Sequence, residues 1–204
     1  MLTLGWSDGF SFAPIDFVML SSAKLVNRIC EMKEHIYKRS HGYKRRLEAL
    51  TRKPDAVVDL LQRALSAGFT ADFVLMDSWF TQAPLLQKLH AMGLSVIGMI
   101  KEMKQRYRLN GKLMSLKELY STLPKNKDNE ILGSIIVETA CGLRVKLVFV
   151  QNRNKRREWL AILSTDLTVS ADEIVRRNAL EHRDFFQIHK KFSKARNRVP
   201  RSFI

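Results

Sequence analysis

Cysteine is scarce: Cys30 and Cys141 are the only two in 204 residues. Two cysteines build no disulfide framework, and neither has metal-ligand partners at a useful spacing. The five histidines, His35, His41, His90, His182 and His189, also fall at no ligand spacing. His90 is expected on the surface of a helix. No apolar run approaches the ~20 residues that a membrane span requires. The opening "MLTLGWSDGF" has neither the charged start nor the cleavage pattern of a signal peptide. The chain is therefore expected in the cytoplasm, with no membrane partner. No internal repeat is visible. Acids are in short supply as well, 20 Asp and Glu against 35 Lys and Arg, which leaves a formal net charge of +15.

That surplus favours a polyanionic partner, nucleic acid ahead of membrane. Residues 177–204 hold eight Lys/Arg and two acids, a net +6, so residues 1–176 keep +9. The basic character does not depend on the tail. Apolar residues make up 46% of the chain, enough for one sizeable core.

The pattern along the chain is that of an α/β protein. "MLTLGWS" and "IDFVML" (residues 15–20) read as strands, with Pro14 at an entry or edge position. The basic stretch that follows is interrupted by Gly42, with helix expected from Tyr43. "KPDAVVDLLQRALSAG" reads as a helix with Pro54 in its first turn, Gly68 at its end, and Val57, Leu60, Leu61, Ala64 and Leu65 on one face. "DFVLMDS" is a continuous apolar run, as expected of a strand buried on both faces. "APLLQKLHAMG" predicts a second helix and "LSVIGMI" a second buried strand. Residues 54–100 thus read helix–strand–helix–strand, with the two strands parallel. Residues 101–165 turn β-rich. An Asn110–Gly111 hairpin signal, two strands around Cys141–Gly142 and a strand in "EWLAILSTD" mark them as an insertion. "SADEIVRR" opens a helix with Ser170 and Glu173 spaced as a capping box. Beyond Arg177 the regular pattern is lost.

The stretch "FVLMDSWF" places a carboxylate, Asp77, at the end of a buried strand. In parallel α/β sheets ligands gather at the carboxyl ends of strands. One reading of Asp77 is a metal ligand or proton-transfer group. The other is a cap satisfying the N-terminus of the following helix. Trp79 reads as a packed aromatic ahead of a base-stacking platform. Asp8, in "SDG", reads as a turn residue, and Asp16 as structural. Lys38, Arg39, Lys44, Arg45, Arg46, Arg52 and Lys53, with Tyr37 and Tyr43 interleaved, form either a phosphate-binding surface or a solvated charge run. "KQRYR" and "NRNKRRE" are read as solvated charge ahead of DNA contacts.

In combination "LGWSDGFSFAPIDFVMLSSA", "GYKRRLEAL", "VLMDSWFTQAPLL", "VIGMIK", "GKLMSLKELY" and "NKRREWLAILSTD" resemble bacterial insertion-sequence transposases of the DDE type, insertion-sequence-four family. The resemblance runs in order over residues 1–176. It implies an α/β fold of ribonuclease-H-like type with a β-rich insertion (about 101–165), and a function in DNA transposition. It implies three carboxylates holding two Mg²⁺ (or Mn²⁺) ions for in-line phosphodiester displacement. Asp77 matches the second of these acids, both catalytic and metal-binding. The implied partners are DNA and a full-length transposase.

The first acid of that pattern belongs to a strand upstream of "LTLGWSDG", which this chain does not contain. The third belongs to a Tyr-x2-Arg-x3-Glu-x6-Lys helix after "EIVR", and residues 177–204 lack that spacing. Read one base out of register, their codons can encode "AMRWSIETFFKSTKSFLKLGTEFQGRSY", which restores Arg-x3-Glu-x6-Lys. The expectation is a truncated ribonuclease-H-like domain over 1–176 and an out-of-frame, poorly ordered basic tail over 177–204. In that case Glu181 is an accident of the frame and the chain is catalytically inactive. The alternative is a basic remnant that acts only by binding DNA or a transposase.

Overall fold

The computed structural model describes residues 1–28, 30, 35–124, 130–152, 155, 158–184 and 202–203. The chain forms two units, Met1–Thr70 and Ala71–Ile204.

In the first unit β1 (Leu2–Ser7) and β2 (Phe12–Val18) form an antiparallel hairpin. Asp8 closes its turn, accepting from the amides of Phe10 (2.9 Å) and Ser11 (2.7 Å), as a turn residue should. The register slips between Leu4 and Gly5, where Pro14 enters the ladder. This explains how a proline sits within β2, which starts three residues earlier than expected.

Helix α1 (His41–Glu48) begins at Ser40, whose hydroxyl accepts from the Tyr43 amide at 3.2 Å. The cap overrides the expected break at Gly42, which lies inside the helix. Helix α2 (Lys53–Ser66) carries Pro54 at its start and ends at Gly68, whose φ of +87° only glycine takes without strain. Its buried face is Ala56, Leu60, Leu61 and Ala64, while Val57 and Leu65, also expected on that face, are half-buried.

One charged network ties these elements together. Arg63 on α2 donates to Asp16 on β2 (2.6 Å) and to Glu48 on α1 (2.6 Å), and Glu48 also receives Arg45 (2.7 Å). Burial alone would raise the Glu48 carboxyl, but the hydrogen bonds from Arg45 and Arg63 hold it below its ordinary value. Asp16 is structural, as the sequence indicated.

The second unit is built on β3 (Phe73–Met76) and β4 (Ser95–Ile100), parallel to each other and joined through α3 (Ala83–Ala91). All four residues of β3 are buried, as its unbroken apolar run requires. The β-rich segment continues the same sheet. β5 (Tyr107–Leu109) and β6 (Lys112–Met114) flank the Asn110–Gly111 turn, whose φ values of 49° and 80° fit the expected hairpin. After them come α4 (Leu116–Thr122), β7 (Ile131–Thr139), β8 (Arg144–Gln151) and β9 (Trp159–Ser164). β9 pairs antiparallel with β4, then β8, β7, β5 and β6 follow in antiparallel order. The result is a mixed sheet, with its parallel part at one side.

Helix α5 (Ala171–Asp184) packs Ile174 into a core with Phe73, Leu75, Ile97, Val148 and Ile162. It runs eight residues into the segment 177–204, where the sequence pattern had shown no further regular structure. The helix that opens after Ser170 continues through them. β10 (Ser202–Phe203) pairs parallel with β3 on the side away from β4.

Candidate functional site

β3 ends at Met76, and Asp77 is the first residue beyond its carboxyl end, exposed to solvent. A tight turn follows. The Phe80 amide donates to the Asp77 carbonyl at 2.9 Å. The carboxylate Oδ1 accepts from the Ser78 amide (2.5 Å) and hydroxyl (2.9 Å). Thr81 fastens the turn to the neighbouring strand, donating its hydroxyl to Met99 O at 2.8 Å. Ser78 and Thr81 are both buried. The turn fits against β4 because position 98 is glycine. A Cβ there would stand 2.5 Å from Met76 O and 2.7 Å from Thr81 Cγ2.

This geometry settles what Asp77 is not. The N-cap of α3 is Gln82, five residues further on. The helix-capping reading of Asp77 is therefore set aside. Its carboxylate is oriented by Ser78 and otherwise offered to solvent at the carboxyl end of a parallel strand pair, where such sheets present ligand-binding groups.

Trp79, expected to be packed, is 68% exposed, with Lys101 Nζ 5.5 Å from its ring centre. The packing expectation fails because the turn rotates residue 79 outward while residues 78 and 81 take the buried positions. An exposed indole and a cation thus stand on the same rim as Asp77.

The remaining acids are engaged elsewhere. The Ser170 hydroxyl accepts from the Glu173 amide at 3.2 Å, which is the first half of the expected capping box. The Glu173 side chain turns instead to Arg176 (2.7 Å) and Arg177 (2.6 Å). The Arg176 hydrogen bond is the main reason its carboxyl lies below the ordinary value, with Arg177 adding to it against burial. A complete capping box forms at Ser115 and Glu118 on α4, a helix within the segment expected to be β-rich. Its signal was present, a serine followed three residues later by glutamate. Among the described residues no three His, Cys, Asp or Glu side chains gather as metal ligands would. One oriented carboxylate does not hold two Mg²⁺ ions, so these residues do not by themselves fit a two-metal centre.

All seven basic residues of the stretch 38–53 are exposed. Some are occupied: Arg45 pairs with Glu48 and lies over Phe17, Arg52 pairs with Asp55 (2.8 Å), and Arg46 donates to Gly42 O (3.0 Å). Lys38, Arg39 and Lys44 form no ion pair among the described residues. Lys44 and Arg45 line a shallow cavity of about 390 Å³ with His41, Glu48 and Arg63. In "KQRYR", Arg106 and Arg108 are drawn to Glu118 (3.1 Å) and Glu138 (3.2 Å). His90 is exposed on α3, as expected. Glu181 lies within α5, with its side chain outside the described residues. Most of "NRNKRRE" also lies outside them.

The fold and site define an α/β protein with a mixed sheet and an oriented strand-end carboxylate. No protein-family model matches the chain, and no curated protein does. Among solved structures it is similar to a piggyBac transposase in a synaptic complex with hairpin DNA. The TM-score is 0.35 at 14% identity, over 65% of this chain and 26% of that one. The chain spans about a quarter of that protein's length, and a likeness this slight carries no weight for fold or function. No described helix is long and apolar enough to cross a membrane.

Proposed function

We propose that this chain is a DNA-binding portion of a DDE-type transposase of the insertion-sequence-four kind, with a ribonuclease-H-like fold. The observation that carries the reading is Asp77. It stands at the carboxyl end of β3, beside a parallel neighbour, with one carboxylate oxygen held by Ser78. A strand-end acid placed this way suits a divalent-metal ligand, because the sheet fixes its position. In the intact family enzyme two further carboxylates would join it in holding Mg²⁺ or Mn²⁺. Residues 1–204 supply one of the three, with the third lost to a shifted reading frame after Arg176. The chain therefore binds DNA without cutting it, and its partners are DNA and a full-length transposase.

The seven basic residues from Lys38 to Lys53 serve as the phosphate-contacting surface, led by Lys38, Arg39 and Lys44. The test is a nicking assay on supercoiled plasmid with Mg²⁺ or Mn²⁺. The 204-residue chain is expected to leave the plasmid intact. A chain given both an upstream strand bearing the first acid and the restored Glu helix is expected to nick it, and Asp77→Ala in that chain to abolish nicking. Metal-dependent nicking by the present chain, lost in Asp77→Ala, would show that another residue completes the set.

A further inference from the structure

We propose that the cavity between α5 and the sheet binds a small amine with an apolar body, with the side-chain oxygen of Asn178 as its acceptor. The inference goes beyond the transposase reading and does not depend on it. It rests on how residues 175–179 fold in this chain, whichever frame encodes them.

Ile174 and Asn178 lie one turn apart on α5, both buried. Ile174 is seated in the core, where an apolar side chain belongs. Asn178 takes the next position on that face, 6% exposed, and its Oδ1 has no hydrogen-bond partner among the described residues. Buried amide oxygens are nearly always partnered, because losing water without gaining a hydrogen bond costs free energy. Asn178 lines a cavity of about 460 Å³.

The strand register supplies the apolar floor of that cavity. Met99 on β4 lies opposite Ile162 on β9, and Val150 on β8 lies opposite Leu160 on β9. Residues 160 and 162 share a face of the sheet, so all four side chains belong to one surface. Val175 and Ala179 of α5 line the opposite wall. An apolar chamber with few polar groups is the usual form of a small-molecule site.

Glu130 stands exposed at the rim, its carbonyl accepting from the Gln151 amide at 2.9 Å. The chain carries a net +15, yet no Lys or Arg is among the described residues lining this cavity, and Glu130 is their one charged group. A buried acceptor and a carboxylate at the edge select an N–H donor and disfavour an anion. Phosphate and DNA are therefore the wrong chemistry for this cavity, and an amine on an apolar body is the right one.

The experiment titrates the full chain with benzylamine and 2-phenylethylamine, followed by NMR of its side-chain amides and methyl groups. Saturable shifts are expected at Asn178, Val150, Leu160 and Val175. Phenylacetate, with a carboxylate in place of the amine, should produce none there. Asn178→Leu removes the acceptor and should weaken amine binding at least about tenfold. Ala179→Phe, at an exposed lining position, should block binding by filling the space, and it decides alone should Asn178→Leu not fold. The proposal is overturned if neither amine gives saturable shifts at these residues up to about 10 mM, well above a millimolar Kd. Phenylacetate binding as tightly as the amines would also overturn it, as would a folded variant that binds them like the wild type.

Discussion

Asp77 shows how much one residue's surroundings decide. As a letter in the sequence it fits a helix cap or a metal ligand. The structure separates these by placing the cap at Gln82 and leaving Asp77 oriented by Ser78. Other residues at this scale are read by the same question of what their polar atoms meet. Tyr107 is fully buried and its hydroxyl has no partner among the described residues, so burial pushes the phenol well up. Tyr107→Phe removes that orphan group and should raise stability, by about 1 kcal/mol in a urea titration. A large loss would reveal a hydrogen bond that the hydroxyl makes.

Glu173 titrates in the opposite sense. Its carboxyl is held low, first by Arg176, so the stability it contributes is fully present above its ordinary value of 4.5 and is lost as the pH falls through its lowered folded value. Thermal melts of the wild-type chain should drop more steeply below pH 4.5 than those of Glu173→Gln. Parallel curves would remove Glu173 from the account of acid sensitivity.

Elements were legible where a single physical signal dominated. The apolar run of β3, the Pro and Gly that bracket α2 and α3, and the Asn110–Gly111 turn each state a local geometry that tertiary packing then left alone. The helix at α1 was misplaced because the Ser40 cap outweighs an exposed Gly42. The extension of α5 past Arg177 and the arrival of β10 beside β3 depend on contacts distant in sequence, which no window of residues displays. The same holds for the site. The strand-end position of Asp77 could be read from the run before it, whereas the outward Trp79 and the Thr81 anchor required the turn itself.

Gly98 links element to site, since it lets β3, β4 and the Asp77 turn approach. Gly98→Ala puts a methyl against a backbone oxygen that has little room to move, and should cost about 1–3 kcal/mol by denaturant titration. A neutral result would mean that the turn is looser than the contacts require.

The molecule as a whole is a basic body whose charge has only partly been spent on internal pairs. Arg45 and Arg63 hold the first unit together through Asp16 and Glu48, while Lys38, Arg39 and Lys44 are left facing solvent. Some cations committed to structure and others left to solvent are what a phosphate-binding surface on a stable scaffold requires. Binding of that kind is driven by counterion release and carries little sequence preference. The most direct measurement is duplex-DNA affinity across a salt series, comparing the wild-type chain with Lys38→Gln/Arg39→Gln/Lys44→Gln. The wild type is expected to bind at low salt, with affinity falling linearly in log–log form as salt rises. The triple variant should bind more weakly on every sequence, with its slope reduced by about 2–3, near 0.9 for each phosphate contact removed. A folded wild-type chain that fails to bind DNA at low salt, or a triple variant with an unchanged slope, would contradict a phosphate-binding surface here.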